Sequence, residues 1–279
     1  MLRQAQIFVG ALVFIFGIAR GAQAQVQVVP PGDDVAGQSQ LYWAQAWWQW
    51  IWSVPAANNP LNDPTGQFAG ENNNGPVFFL AGNAGGSSTR TIYVPDGTPV
   101  FFPVINSFFV PINLDGTYNP SPCSSPLTLA CAIQATSFTQ VTGLEVDIDG
   151  TPVDNVEQYR QTSTSFFSIS LPDDNLYGIP TVAYNQCVSD AGVACSNLWT
   201  QDGFYVALDN LTPGTYVLHF QGAGESVAGG PISLDVTDTL IVVPEVSTWA
   251  MTLMGGVGLL LAAARAKRRP RFGAALPHG

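Results

Sequence analysis

Residues 25–243 contain no lysine. Two arginines, Arg90 and Arg160, stand there against 19 acidic residues, a formal charge of −17. A surface of that sign repels nucleic acid and anionic lipid and attracts divalent cations or basic partners. It also keeps a domain with few charges overall, rich in Asn, Gln, Ser and Thr, from associating with itself. Histidine is nearly as scarce. His219 is the only one in the stretch, it sits in a strand-like run, and no G-x-S-x-G elbow accompanies it, which argues against Ser–His–Asp hydrolysis. Missing too are a phosphate loop, a dinucleotide fingerprint and any carboxylate pair that spacing identifies as a glycosidase site. No internal repeat is present, which argues against a solenoid or a propeller.

The two ends differ from the middle. Arg3 precedes a run of twelve uncharged, mostly apolar residues, 7–18, followed by Ala22-Gln23-Ala24. This is the pattern of a cleaved secretory signal over residues 1–24, since twelve apolar residues are too few to span a bilayer core, which needs about 20. At the other end, residues 246–264 are 19 positions without a charge, close to the length of a transmembrane helix. Arg265, Lys267, Arg268, Arg269 and Arg271 then form a basic stop. Positive residues stay cytoplasmic, so residues 272–279 form a short cytoplasmic end and the domain before the helix faces outward. Gly255, Gly256 and Gly258 make the helix narrow.

The motif VPEVSTWAM before this helix, the Gly-rich helix and the Arg cluster together resemble the PEP-CTERM sorting signal of Gram-negative bacteria over residues 244–271. The matching residues are Pro244 and Glu245, the Ser247-Thr248-Trp249-Ala250 run and the basic stop. Val246 stands where the family usually has a second proline, and eight residues follow Arg271. The resemblance implies recognition by an exosortase-type membrane transpeptidase, transient anchoring in the inner membrane, and delivery to the cell surface or an extracellular matrix associated with exopolysaccharide.

An exported chain passes through an oxidising compartment in which disulfides persist. Its four cysteines form two pairs of equal spacing, Cys123/Cys131 and Cys187/Cys195. Four cysteines allow three pairings. Each C-x7-C unit flanks a loop rich in small residues and can close on itself, so Cys123–Cys131 and Cys187–Cys195 are expected. Zinc is the rival use, but its common knuckles separate ligands by two to four residues.

In the folded part, residues 39–53 read as a helix capped by Ser39 and stopped by Pro55. Trp43, Trp47 and Trp50 share one face, Trp48 and Trp52 another. Aromatics on two faces predict a helix clasped between a sheet and another surface, packed at one end of the domain. The alternative is a glycan platform formed by Trp43, Trp47 and Trp50. Strand-like runs follow at 76–81, 89–95, 99–105, 143–148, 165–171, 203–208, 215–221 and 232–243, separated by turns such as Asp96-Gly97, Asp149-Gly150 and Pro213-Gly214. Short strands without a βαβ rhythm predict a mainly β fold, a β-sandwich of jelly-roll or Ig-like type over residues 25–243, with a subdivision near 140 as the alternative. The pieces WWQWIWSVP, NPLNDPTG, GPVFFLAG and VPDGTPVFFPVIN resemble a set of exported bacterial proteins of unknown function, which implies a shape and no chemistry.

Two binding chemistries are left. Glu145, Asp147 and Asp149 resemble the start of a calcium loop, although the twelfth position is Val156 and Glu157 falls one residue late. Val146 and Ile148 alternate with them, as in a strand with an acidic outer face. Three carboxylates on one face repel each other, and calcium would relieve this, with Asp173, Asp174 and Asp202 as further oxygen donors if loops converge. Carbohydrate is the second: the Phe101-Phe102 and Phe108-Phe109 pairs each expose one ring if they lie in strands. The expectation is therefore a non-enzymatic surface or matrix protein without a cofactor other than calcium, with a glycan- or calcium-binding module as the alternative and an enzyme acting on extracellular polymers as the least supported.

Overall fold

The computed structural model describes residues 26–244. The expected signal peptide, the sorting residues Glu245 and Val246, the 246–264 helix and the basic stop lie outside the described residues. Among the described residues no helix is long and apolar enough to cross a membrane.

Among the described residues, ten strands form two mixed sheets of five strands each. The first sheet contains β1 (Gln27–Val28), β2 (Phe78–Phe79), β4 (Val100–Phe109), β7 (Arg160–Thr162) and β8 (Thr200–Asp209). Its order is β1-β8-β4-β2, with β7 also beside β8. The second sheet runs β3 (Gly86–Pro95), β10 (Gly230–Val243), β9 (Gly214–Ser226), β5 (Phe138–Ile148) and β6 (Thr151–Pro152). The pairs β2–β4 and β3–β10 are parallel and the others antiparallel. Both sheets draw strands from either side of residue 140.

The sheets pack face to face over a core of Ile92, Val94, Phe102, Val104, Val206, Phe220, Val236 and Leu240. A second core covers the opposite face of the first sheet, where Phe101, Tyr205 and Ala207 meet α1 (Gln40–Ser53). The strands differ for this reason. β4 and β8 are covered on both faces and are buried along nearly their whole length, whereas β9 and β10 face solvent on one side and alternate.

The Ser39 hydroxyl accepts from the Tyr42 amide and starts α1, which stops before Val54-Pro55. The helix lies across the face of the first sheet instead of at one end of the domain, and loops cover its far side. Hence both tryptophan faces are buried. Trp47 donates its indole N–H to Leu80 O and Trp50 to Glu71 O, both at 2.8 Å. The run 165–171 is a correction to the strand expectation. It makes one isolated bridge, Phe167 to Trp199, and sends Phe167 and Ile169 into the second core. Two short helices were not anticipated, α2 (Leu129–Thr136), capped by Thr128, and α3 (Thr181–Gln186).

Both expected disulfides are present. The two loops touch, because the Ser125 hydroxyl donates to the Asp190 carboxylate. Closing loops this short stabilises by about 2.5 kcal/mol per bridge in the chain-entropy picture. Reduction is therefore expected to lower the melting temperature, which calorimetry with and without a phosphine reductant checks.

The NDPTG segment shields the edge strand β3. The Asp63 carboxylate accepts from Thr65 N, Thr65 Oγ1 and Phe68 N at 2.6–2.8 Å, and Thr65 O accepts from Thr91 N at 3.1 Å. Although burial pushes the Asp63 carboxyl up, those hydrogen bonds bring it below the usual aspartate range. Gly66 sits at φ +86, and a Cβ there would lie 2.5 Å from Thr91 O. Gly66→Ala is thus expected to cost about 2 kcal/mol or more, read as a lower urea midpoint, because strain and clash act together on the cover of a sheet edge.

Candidate functional site

At one pole of the domain, the C-terminal end of β4, the β9–β10 turn, the end of α1 and the loops around 62, 113–122 and 177 enclose a cavity of about 770 Å³. Trp48, Trp52, Phe108 and Tyr177 supply its aromatic wall. Phe108 sits 4.9 Å from Trp48 and 5.4 Å from Trp52, and stacks on Trp199 at 5.2 Å. Tyr177 approaches Trp52 to 5.2 Å, and its residue remains 55% exposed, so one flank of the ring is open. Burial of the rest pushes its hydroxyl up, and it stays neutral at physiological pH.

The polar wall is made of amides and hydroxyls, among them Asn62, Asn106, Ser107 and Ser226. Ser107 and Ser226 share a hydrogen bond of 2.7 Å that joins the two sheets at the cavity floor. Asn106 donates to the Tyr205 hydroxyl at 3.3 Å, Trp48 donates to the same oxygen at 3.0 Å, and Tyr205 donates to Gln201 Oε1 at 2.9 Å. Desolvation pushes the Tyr205 hydroxyl far up, so it remains a donor. This cluster needs Gly203 opposite Asn106 in the ladder, because a Cβ there would lie 2.7 Å from Asn106 Cβ and 2.8 Å from Tyr205 Cε2. None of the residues lining the cavity is acidic, basic or a histidine.

The expected platform of Trp43, Trp47 and Trp50 is corrected. These residues are 6, 1 and 5% exposed and form core. Of the three, only Trp47 reaches the cavity wall. The rings that face the cavity come from the helix's other face, Trp48 and Trp52.

The expected calcium ligands are not gathered. Glu145 Oε2 accepts from Gln221 at 2.8 Å, Asp147 Oδ1 from Gly150 N at 2.7 Å, and Asp149 Oδ1 from Val217 N at 2.7 Å. Asp202 is held by Arg160 in the first sheet, and Asp173 takes the Thr181 hydroxyl. Among the described residues no group of three or more His, Cys, Asp or Glu side chains is placed to hold a metal ion. His219 Nε2 lies 2.9 Å from Asp235 Oδ1 on the solvent face of the second sheet. Pro244 is exposed just beyond β10.

Sequence reading missed Asn62, Asn106, Ser226 and Tyr177 as a group. Trp47 and the Phe108-Phe109 pair are the candidate residues that do reach this pole, with Phe109 turned inward at 3% exposure, whereas Phe101 and Phe102 are both buried and expose no ring.

No protein-family model matches the chain, no curated protein matches it, and no solved structure matches it.

Proposed function

We propose that the chain is an exported, non-catalytic carbohydrate-binding module of the cell surface or extracellular matrix, delivered through an exosortase-type sorting segment at residues 244–271. One observation carries the binding part: an uncharged cavity, walled by aromatic rings and amides, within a domain otherwise dominated by acids. A sugar ring offers apolar C–H faces to aromatic rings and hydroxyls to amides and serines, and this wall has both partners. The jelly-roll or Ig-like assignment belongs to the same proposal and is carried by the two packed sheets.

The cavity's position supports display. The cavity borders Gly230–Ile232 at the start of β10, while the sorting segment leaves from its end at Val243, 14 strand residues or roughly 45 Å away. β1 pairs with Leu208 and Asp209 at the same far pole. The described residues thus begin and end at one pole, and the cavity opens at the other.

The test is a glycan array probed with the full chain. Binding to at least one polysaccharide is expected, and a folded protein that binds none would sink the carbohydrate reading. For sorting, changing Pro244 and Glu245 together is expected to leave uncleaved chain in the inner membrane, read by fractionation and immunoblot. Normal processing of that variant would remove the exosortase from the proposal.

A further inference from the structure

Resting on the carbohydrate-binding reading, we infer that the cavity takes a neutral glycan segment and rejects acidic ones, with Tyr177 as the exposed stacking face and Trp52 as a donor in the wall.

The charge class follows from what surrounds the cavity. Its lining carries no charged group, and the domain bears −17 outside it. Both arginines of the described residues are already engaged, Arg90 with Asp238 at 2.8 Å and Arg160 with Asp202 at 2.7 Å. A uronate or a sulfate would meet no cation on arrival and would approach through a field of its own sign. A neutral sugar meets neither penalty.

Trp52 gives a second, independent observation. Six tryptophans lie among the described residues. Five donate their indole N–H: Trp43 to Val35 O, Trp47 to Leu80 O, Trp48 to the Tyr205 hydroxyl, Trp50 to Glu71 O and Trp199 to the Tyr184 hydroxyl. Trp52 is 1% exposed, its Nε1 has no protein partner, and it is part of the cavity wall. A buried N–H without a partner is costly enough to need a reason, and an acceptor on a ligand is one. The side-chain amides of Asn62 and Asn106 line the same cavity and supply donors and acceptors of neutral type for sugar hydroxyls.

Tyr177 is held ready for contact. Asn175, 2% exposed, ties off its loop by donating to Pro172 O and Ile179 O and accepting from Ile179 N. Tyr177 projects at the tip beside Gly178, which has a positive φ of 65°. The loop therefore holds its backbone in place and presents the ring beside Trp52, which reduces the ordering cost on binding.

The experiment is isothermal titration of the full chain with neutral hexasaccharides (cello-, laminari-, manno- and xylo-) and with oligogalacturonate and oligomannuronate of matched length, at 0.15 M salt. Three variants accompany it: Tyr177→Ala, Trp52→Phe, and Tyr93→Ala as an exposed aromatic control on the second sheet. Expected are binding of at least one neutral oligosaccharide, none of the acidic ones, a tenfold or greater loss in Tyr177→Ala, a several-fold loss in Trp52→Phe and no change in Tyr93→Ala. Circular dichroism confirms the fold of each variant. Acidic oligosaccharides binding as well as neutral ones, or Tyr177→Ala retaining full affinity, would overturn this inference while leaving carbohydrate binding intact. Absence of binding to any oligosaccharide by the folded wild-type chain would overturn both.

Discussion

Asp238→Ala is expected to lower the unfolding free energy by about 3–5 kcal/mol, the range for breaking a buried ion pair by removing one partner. For a domain of this size that corresponds to a melting temperature roughly 10 °C lower. The reason is the fate of Arg90. Its side chain is 2% exposed, and its guanidinium donates to both Asp238 oxygens at 2.8 Å and to Ala81 O and Gly82 O. Asp238 and Arg90 face each other across the parallel β3–β10 ladder, inside the packed sheets. Without the carboxylate, the guanidinium keeps two neutral acceptors and no counter-charge, and no short path leads it to water. Arg90→Met in the same background removes the stranded charge and fills similar volume, so the double variant is expected to recover a large part of the loss. Urea unfolding of the four proteins in the cycle measures this. A double variant as unstable as Asp238→Ala would mean that the loss comes from packing and not from the charge.

The sequence announces a structure here in proportion to how locally that structure is determined. α1 is legible because its cap, Ser39, and its stop, Pro55, flank an apolar run of helical spacing. The two aromatic faces correctly imply cover on both sides. β9 and β10 are legible because one face meets solvent and their residues alternate. The two disulfides are legible because each C-x7-C loop closes on itself without help from the rest of the fold. The 165–171 run misleads for a physical reason. Phe167 and Ile169 alternate like a strand because they point into one core, yet the segment makes one bridge to Trp199 and no ladder. α2 and α3 are only 8 and 6 residues long, and both depend on neighbours for stability.

The candidate site is least legible because it is assembled from distant segments. Asn62, Asn106, Tyr177 and Ser226 share no spacing. They converge only because β4 and the β9–β10 turn end at the same pole. The site's chief property, the lack of charge in its wall, is a property of that convergence. The acidic triplet on β5 is the reverse case. Its spacing is visible, but each carboxylate is spent on a neighbouring donor, so the local pattern describes a strand surface and its turn.

Asp202 provides the comparison that separates charge from hydrogen bonding. Its side chain is fully buried, but its partner Arg160 is 40% exposed. The carboxylate also accepts from the Thr162 hydroxyl at 2.6 Å and from the Phe138 amide at 2.9 Å, and so fixes β7 and the start of β5 to β8. Asp202→Ala is expected to cost about 3 kcal/mol, as a sum of buried donors left without acceptors. Arg160 itself can turn to solvent, so its charge adds little to the penalty. The same rescue must therefore give the opposite result. Arg160→Met is expected to restore the stability of Asp238→Ala's counterpart here by less than about 0.5 kcal/mol, because the Phe138 N–H and the Thr162 hydroxyl remain unpaired. Asp202→Asn, which keeps one acceptor oxygen, is expected to lose less than the alanine variant. If Arg160→Met rescued Asp202→Ala as fully as Arg90→Met rescues Asp238→Ala, then the electrostatic cost of the cation would govern both sites, and the exposure of Arg160 would not provide the relief argued for it.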